Sequence, residues 1–349
     1  MRAFLKQKLL TETGLIFCIS LILIAGISYG VMITFKLAES VDPQSYWGLA
    51  HFDFHQSPHR RYRFVIPFLA AGVNWLIQSI AHIFRPGTLT GDFSLQFSFW
   101  VVNVTIAAAW CTLIYRYCRA YAFSRVASFF GLLAVVTSWW TANNAGQPMV
   151  DSLFCLTVIC GLLGIREKNV GLILFSVLVG PFAKENYLFF APVVFFFAPI
   201  PKWKLFLWFL LSGTAVFGTR YLIDRAGGQP MSASIKADLN ILNAIPFNIR
   251  RLKIMGYWNE LFATFGLWVL VPPLTRLALK RPAIKQRIFT EPYMLAFLLT
   301  STFQILIHGE YARIMYMLMP AWALAIARAA GRWEKYLSGK TNQVSSRRI

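Results

Sequence analysis

Charge is what this sequence has least of. Only 14% of its 349 residues are Asp, Glu, Lys or Arg, while 57% are hydrophobic. A soluble chain carries about a quarter charged residues, so an ordinary soluble domain is excluded. Acids are scarcer still, 14 against 34 Lys and Arg, for a net charge of +20. Cysteine is sparse too: Cys18, Cys111, Cys155 and Cys160 lie in apolar runs and Cys118 in a basic loop. None has metal-ligand spacing and none falls where a disulfide would form, so all five are expected as unpaired structural thiols. An internal repeat and a second soluble domain are also missing.

What is abundant is apolar sequence in blocks. Runs occupy 14–37, 64–84, 96–115, 126–141, 149–165, 170–182, 187–200, 203–223, 261–279, 292–308 and 314–327. Short basic or polar breaks separate them, which is the pattern of membrane-spanning helices. The first run follows a basic start, Met1 to Lys8, and is too long for a signal-peptide core, so an uncleaved signal anchor is expected. The net charge does not point to nucleic acid, because most Lys and Arg sit in short loops beside apolar runs, where they fix topology and meet lipid phosphates.

Positive-inside counting decides which runs cross. If 64–84 lies at the outer interface, the inner segments include RYCRAYAFSR, REK, PKWK and RLALKRPAIKQR, and only four acids join them: Glu12, Glu167, Glu291 and Glu334. If 64–84 spans, the basic turns land outside. Asn74, Gln78 and His82 also give this run a polar stripe at i, i+4, i+8, as an interfacial helix has. The expected fold is therefore an all-α integral membrane protein with about ten transmembrane helices and an outer-face juxtamembrane helix. Residues 1–330 form one polytopic domain, with 38–95 as the first outer loop. Residues 331–349 form a basic cytoplasmic tail, disordered over SGKTNQVSSRRI. A bacterial plasma membrane with both termini cytoplasmic fits this arrangement. The runs 170–182 and 187–200 are short for spans and are expected to be tilted, or broken at Pro181 and Pro192.

The outer side then collects Asp42, Asp53, Asp151, Lys184, Glu185, Glu310 and Arg313, with His51, His55, His59, His82 and His308. Mixed acid, base and histidine is what a catalytic surface needs. At this point the sequence resembles a family. VDPQSYWGLAHFD follows the first run, then RYRFVIPFLA, QPMVDSLF, FAKENYLFFAP and HGEYARIMYMLMP. This resembles the GT-C superfamily of polytopic glycosyltransferases, over roughly residues 14–330. The resemblance implies a GT-C-like fold and a polyprenyl-phosphate-linked sugar as donor. It implies a lipid, glycan or protein acceptor and an essential acid in the first outer loop. Asp42 matches that acid best, with Asp53 as a candidate second carboxylate.

The chemistry asks for the same residue types. Glycosyl transfer from a lipid phosphate needs a carboxylate to take the acceptor's proton, the role expected of Asp42. The leaving phosphate needs cations, which Arg60, Arg61 and Arg63 supply, with Lys184 or Arg313 assisting. Tyr46, Trp47 and His308 are further candidates for sugar or headgroup contact. Each residue also has a structural use. Asp42 and Asp151 suit helix N-termini, the three arginines suit membrane lipid headgroups, and Lys184–Glu185 and Glu310–Arg313 suit self-neutralising pairs. His51, His55 and His59 would share a helical face beside Asp53, although Pro58 stops such a helix. A metal there would be Mg²⁺ or Mn²⁺ held by carboxylates. The rival functions are a transporter or flippase and a lipid-linked glycan polymerase or ligase.

Overall fold

The computed structural model describes residues 2–84, 92–228, 245–251, 256–279, 291–308, 313 and 315–345. All regular structure among them is helical. Helix α1 (Arg2–Thr34) leads through a short 3₁₀ turn to α2 (Val41–Ala50) and α3 (Pro58–Arg61). Then come α4 (Val65–Phe84), α5 (Asp92–Ala120), α6 (Arg125–Val136), α7 (Trp139–Gly146) and α8 (Asp151–Glu167). The chain continues through α9 (Val170–Ala183), α10 (Tyr187–Phe197), α11 (Lys202–Ala226), α12 (Ile245–Arg251) and α13 (Gly256–Phe265). It closes with α14 (Val271–Ala278), α15 (Pro292–His308) and α16 (Met319–Ser345).

Burial sorts these helices into a centre and a shell. α8 is buried on nearly every side, and α5 packs against it, with α1, α4 and α6 around α5. A helix apolar all round belongs inside, which explains α8. α11 is also strongly apolar but only 11% buried over its most apolar window. Phe206, Leu207, Leu210, Leu211, Phe217 and Leu222 all face outward from it. Water does not tolerate a continuous apolar face of that size, whereas hydrocarbon does.

Four helices among the described residues are long and apolar enough to cross a membrane: Thr11–Thr34, Val65–Ile83, Asp92–Ala120 and Lys202–Ala226. A fifth is made if α6 and α7, bent by 58°, are counted as one broken span. The ten read from the sequence also include α8 and α15, unbroken helices of 17 residues each, and runs that are shorter or divided. α9 and α10 have 14 and 11 residues, well under the roughly 20 a span needs. Pro181 and Pro192 lie inside them, and the break falls between, where Lys184 is extended. The run 126–141 breaks at Thr137–Ser138, where the Ser138 hydroxyl caps α7 and donates to the Thr264 carbonyl at 2.5 Å. The run 261–279 breaks at Gly266, whose φ of +58° is a left-handed conformation that favours glycine.

The tail also departs from the sequence reading. α16 continues as helix through Ser345. Its first half packs against α6, and extending a formed helix costs far less than nucleating one.

Hydrogen bonds define two polar ends. Tyr115 donates to Glu12 at 2.6 Å, and Arg119 and Arg125 pair with the same carboxylate. Gln96 at the other end of α5 donates to the Met32 carbonyl. α1 and α5 therefore run antiparallel. Gln78, near the close of α4, donates to Ser94 in the first turn of α5 at 3.2 Å. The chain between α1 and α5 thus leaves and returns to one end of the bundle.

Candidate functional site

Asp42 lies in the first turn of α2, and Tyr46 follows one turn on, so both project from one face of that helix. α2 stops at Ala50, and Phe52, at φ +59°, turns the chain back. Ser57 and Pro58 then start α3, which returns Arg60 to Asp42: its Nε donates to Asp42 Oδ1 and its Nη1 to the Ser57 hydroxyl at 3.1 Å. Arg63, at the end of this turn, reaches Tyr46 and Glu185.

A closed ring of charged groups results. Arg313 Nη1 donates to Asp42 Oδ2 at 2.8 Å, while its Nε and Nη2 donate to Asp151 Oδ2 at 2.9 and 2.7 Å. Lys184 Nζ donates to the other Asp151 oxygen at 2.7 Å. Its chain neighbour Glu185 accepts from Arg63 on both oxygens, with Nε to Oε2 at 2.9 Å. Arg63 Nη1 donates to Tyr46 Oη at 2.8 Å, which returns the circuit to α2. Arg60, Arg63, Lys184 and Arg313 face Asp42, Asp151 and Glu185, so the described members carry one more positive than negative charge. Beside Arg63, Lys184 and Glu185 lies a small crevice of about 10 Å³, partly open to the surroundings, walled by Phe182, Val216 and Arg220.

The ring is buried: the side chains of Asp151, Lys184 and Arg313 are 6, 8 and 9% exposed. Isolated charges at that depth would cost several kcal/mol each, and the alternation of sign offsets this. Burial works to raise the Asp42 carboxyl, but Arg313 and Arg60 outweigh it and hold the group below its ordinary range. Burial likewise works to raise Glu185, and Arg63 outweighs it, pulling that carboxyl down to about 2. For Lys184 burial wins over Asp151, and the ammonium is shifted downward.

Other residues singled out from the sequence sit elsewhere. Asp53 accepts from the His55 amide at 3.0 Å and from Gln56 at 2.6 Å, within its own exposed turn. The His55 amide pulls that carboxyl below its ordinary value. Asp53 Oδ2 packs beside Gly48, six residues along α2 from Asp42 or about 9 Å of rise, and the two acids share no partner. His51 and His55 lie beyond the end of α2, so the helical face they would share with His59 does not form. Among the described residues no three His, Cys, Asp or Glu side chains form a metal-holding group. Each ring carboxylate is already engaged by cations, so the donor set does not fit Mg²⁺ or Mn²⁺. Trp47 stacks on Phe99 at 6.3 Å. Glu310 and the His308 side chain lie outside the described residues.

Arg61 turns away from the ring. Its side chain is fully buried and pairs with Asp224 at 2.8 Å, where Tyr62 also donates at 2.7 Å. Arg220 lies 4.6 Å from the Tyr62 ring centre. This second cluster ties the Arg60–Arg63 turn to the end of α11, and sequence reasoning missed it. The signal was Asp224, a lone acid closing an apolar run.

The opposite end of the bundle gathers Glu12, Glu167, Glu291 and Glu334, the four acids expected to share a side. Glu167 pairs with Arg116 and Glu291 with Arg166, at 2.8 and 2.7 Å, and Glu334 accepts from Ser124 at 2.5 Å. That end is thus mixed as well. The ends differ in depth, since Arg116, Arg119 and Arg166 are 24–33% exposed.

No family model matches the chain, and no curated protein or solved structure matches it.

Proposed function

We propose that the chain is a GT-C-type membrane glycosyltransferase that moves a sugar from a polyprenyl-phosphate donor to a lipid, glycan or protein acceptor. The observation that carries this reading is the ring. It offers one carboxylate, Asp42, at the start of a short helix, set among more cations than anions. Asp42 takes the acceptor hydroxyl proton, and the acceptor oxygen attacks the anomeric carbon. The bond from that carbon to phosphate oxygen breaks, and Arg60, Arg63, Lys184 and Arg313 meet the charge left on the phosphate. Asp151 and Glu185 fix the geometry of those cations, and Tyr46 orients Arg63. The site faces the outer side of a bacterial plasma membrane, with both termini cytoplasmic and the remaining apolar helices completing about ten crossings.

The test is transfer by the purified chain, reconstituted in lipid with radiolabelled polyprenyl-phosphate sugars. Asp42→Asn should lower turnover by about 10²–10⁴-fold while the protein remains folded. Full turnover in that variant removes the proposed base. Movement of lipid-linked sugar across the bilayer without transfer would instead identify a flippase.

A further inference from the structure

We propose that Arg313 is a positioning residue that sets the basicity of Asp42, and that the phosphate of the lipid donor switches it. This rests on the sugar-transfer reading of the same site. The Arg313 fork is divided: one nitrogen serves Asp42, and two serve Asp151. The other Asp42 oxygen is held by Arg60. Both oxygens of the base are therefore occupied by guanidinium groups. In that state Asp42 is a poor proton acceptor, consistent with the downward direction of its titration. A catalytic base has to be released before it can work.

The geometry supplies the release. Arg313 remains anchored through its two bonds to Asp151, itself fixed from the opposite side by Lys184. The single bond to Asp42 can therefore be exchanged without losing the residue's place. A phosphate oxygen arriving at the ring competes for that one nitrogen. It is an anion entering a set of groups with one surplus positive charge, so the exchange keeps every cation paired. The groups facing Asp42 are Arg60 and Arg313, with Tyr46 one turn along α2, Arg63 beyond Tyr46, and Asp151 beyond Arg313. Losing one adjacent cation raises a carboxyl by about one unit or more, a tenfold gain in proton affinity. Donor binding thus creates the base that the acceptor meets. The acceptor's proton moves to Asp42, the phosphate keeps the electron pair of the broken sugar bond, and the proton then leaves to the phosphate or to water.

The test needs no sugar transfer. The full chain in lipid nanodiscs is titrated by infrared difference spectroscopy, with the Asp42 carboxyl band assigned by its loss in Asp42→Asn. Farnesyl phosphate should move the Asp42 titration upward by about one unit, and inorganic phosphate should move it the same way. Farnesol, which lacks the phosphate, should not. In Arg313→Gln the titration should start high and no longer respond. In Arg313→Lys, which keeps the charge for Asp151 and guards against misfolding, the response should shrink. An unmoved titration in the unmodified chain overturns the switch, as does an equal response in either Arg313 variant or a response to farnesol. Transfer without the shift would sink the switch alone, whereas the shift without transfer would sink the enzyme reading.

Discussion

Asp151 holds two cations with one carboxylate, at 2.7 Å each. Asp151→Asn leaves Lys184 and Arg313 without their buried countercharge, and removing one partner of a buried pair costs about 3–5 kcal/mol. The expected outcome is a large fall in melting temperature by fluorescence scanning in detergent, far larger than for Asp53→Asn, whose bonds stay within an exposed turn. Acid should act through the same groups. Asp42 and Glu185 titrate below their ordinary values in the fold, so they stabilise it above the unfolded carboxyl range, near 4. That contribution is lost as pH falls through the folded values, so stability should decline between about pH 4 and about 2. A flat profile over that window would contradict the ring. At this scale much was legible in the sequence: Asp42, Tyr46, Arg60, Arg63, Asp151, Lys184, Glu185 and Arg313 were all singled out, and the fold brings them into one circuit. The role of Arg61 was not, since its difference from Arg60 and Arg63 lies in which side of a single turn each faces.

Helix contacts are the scale at which sequence patterning says least. Runs 126–141 and 261–279 read as continuous apolar helices, and their breaks depend on Ser138 capping and Gly266 turning, which hydropathy does not register. Close packing follows the same rule. A Cβ on Gly131 would stand 2.7 Å from the Ala323 carbonyl, where α6 meets α16, and one on Gly180 would meet the Tyr187 ring. Gly131→Leu should separate α6 from α16 and lower thermal stability by a few kcal/mol, as overpacking does. Gly213→Leu, on the outer face of α11 with nothing within 4 Å of the added carbon, should leave it unchanged. Equal behaviour of the two variants in detergent would argue against this packing.

For the whole molecule, the all-helical, bilayer-compatible class was evident from composition, but the number of crossings was not. Apolar length alone cannot distinguish a span from a run folded into two short helices, as happens on either side of Ser138. Sidedness remains testable. Residues near Arg60 and residues in the turn at Ala122 should label from opposite faces when single cysteines are introduced into a background freed of the native five. Labelling from one face would refute the antiparallel pairing of α1 with α5.

One property of the ring reaches into how the protein is made. Asp42 and its partner Arg313 stand 271 positions apart in the chain, and Asp42 and Asp151 each lack one of their two cations until the later residue arrives. A ribosome inserting this polypeptide must therefore deliver hundreds of residues with the first-made acids waiting. The last link of the circuit is then the arrival of one arginine.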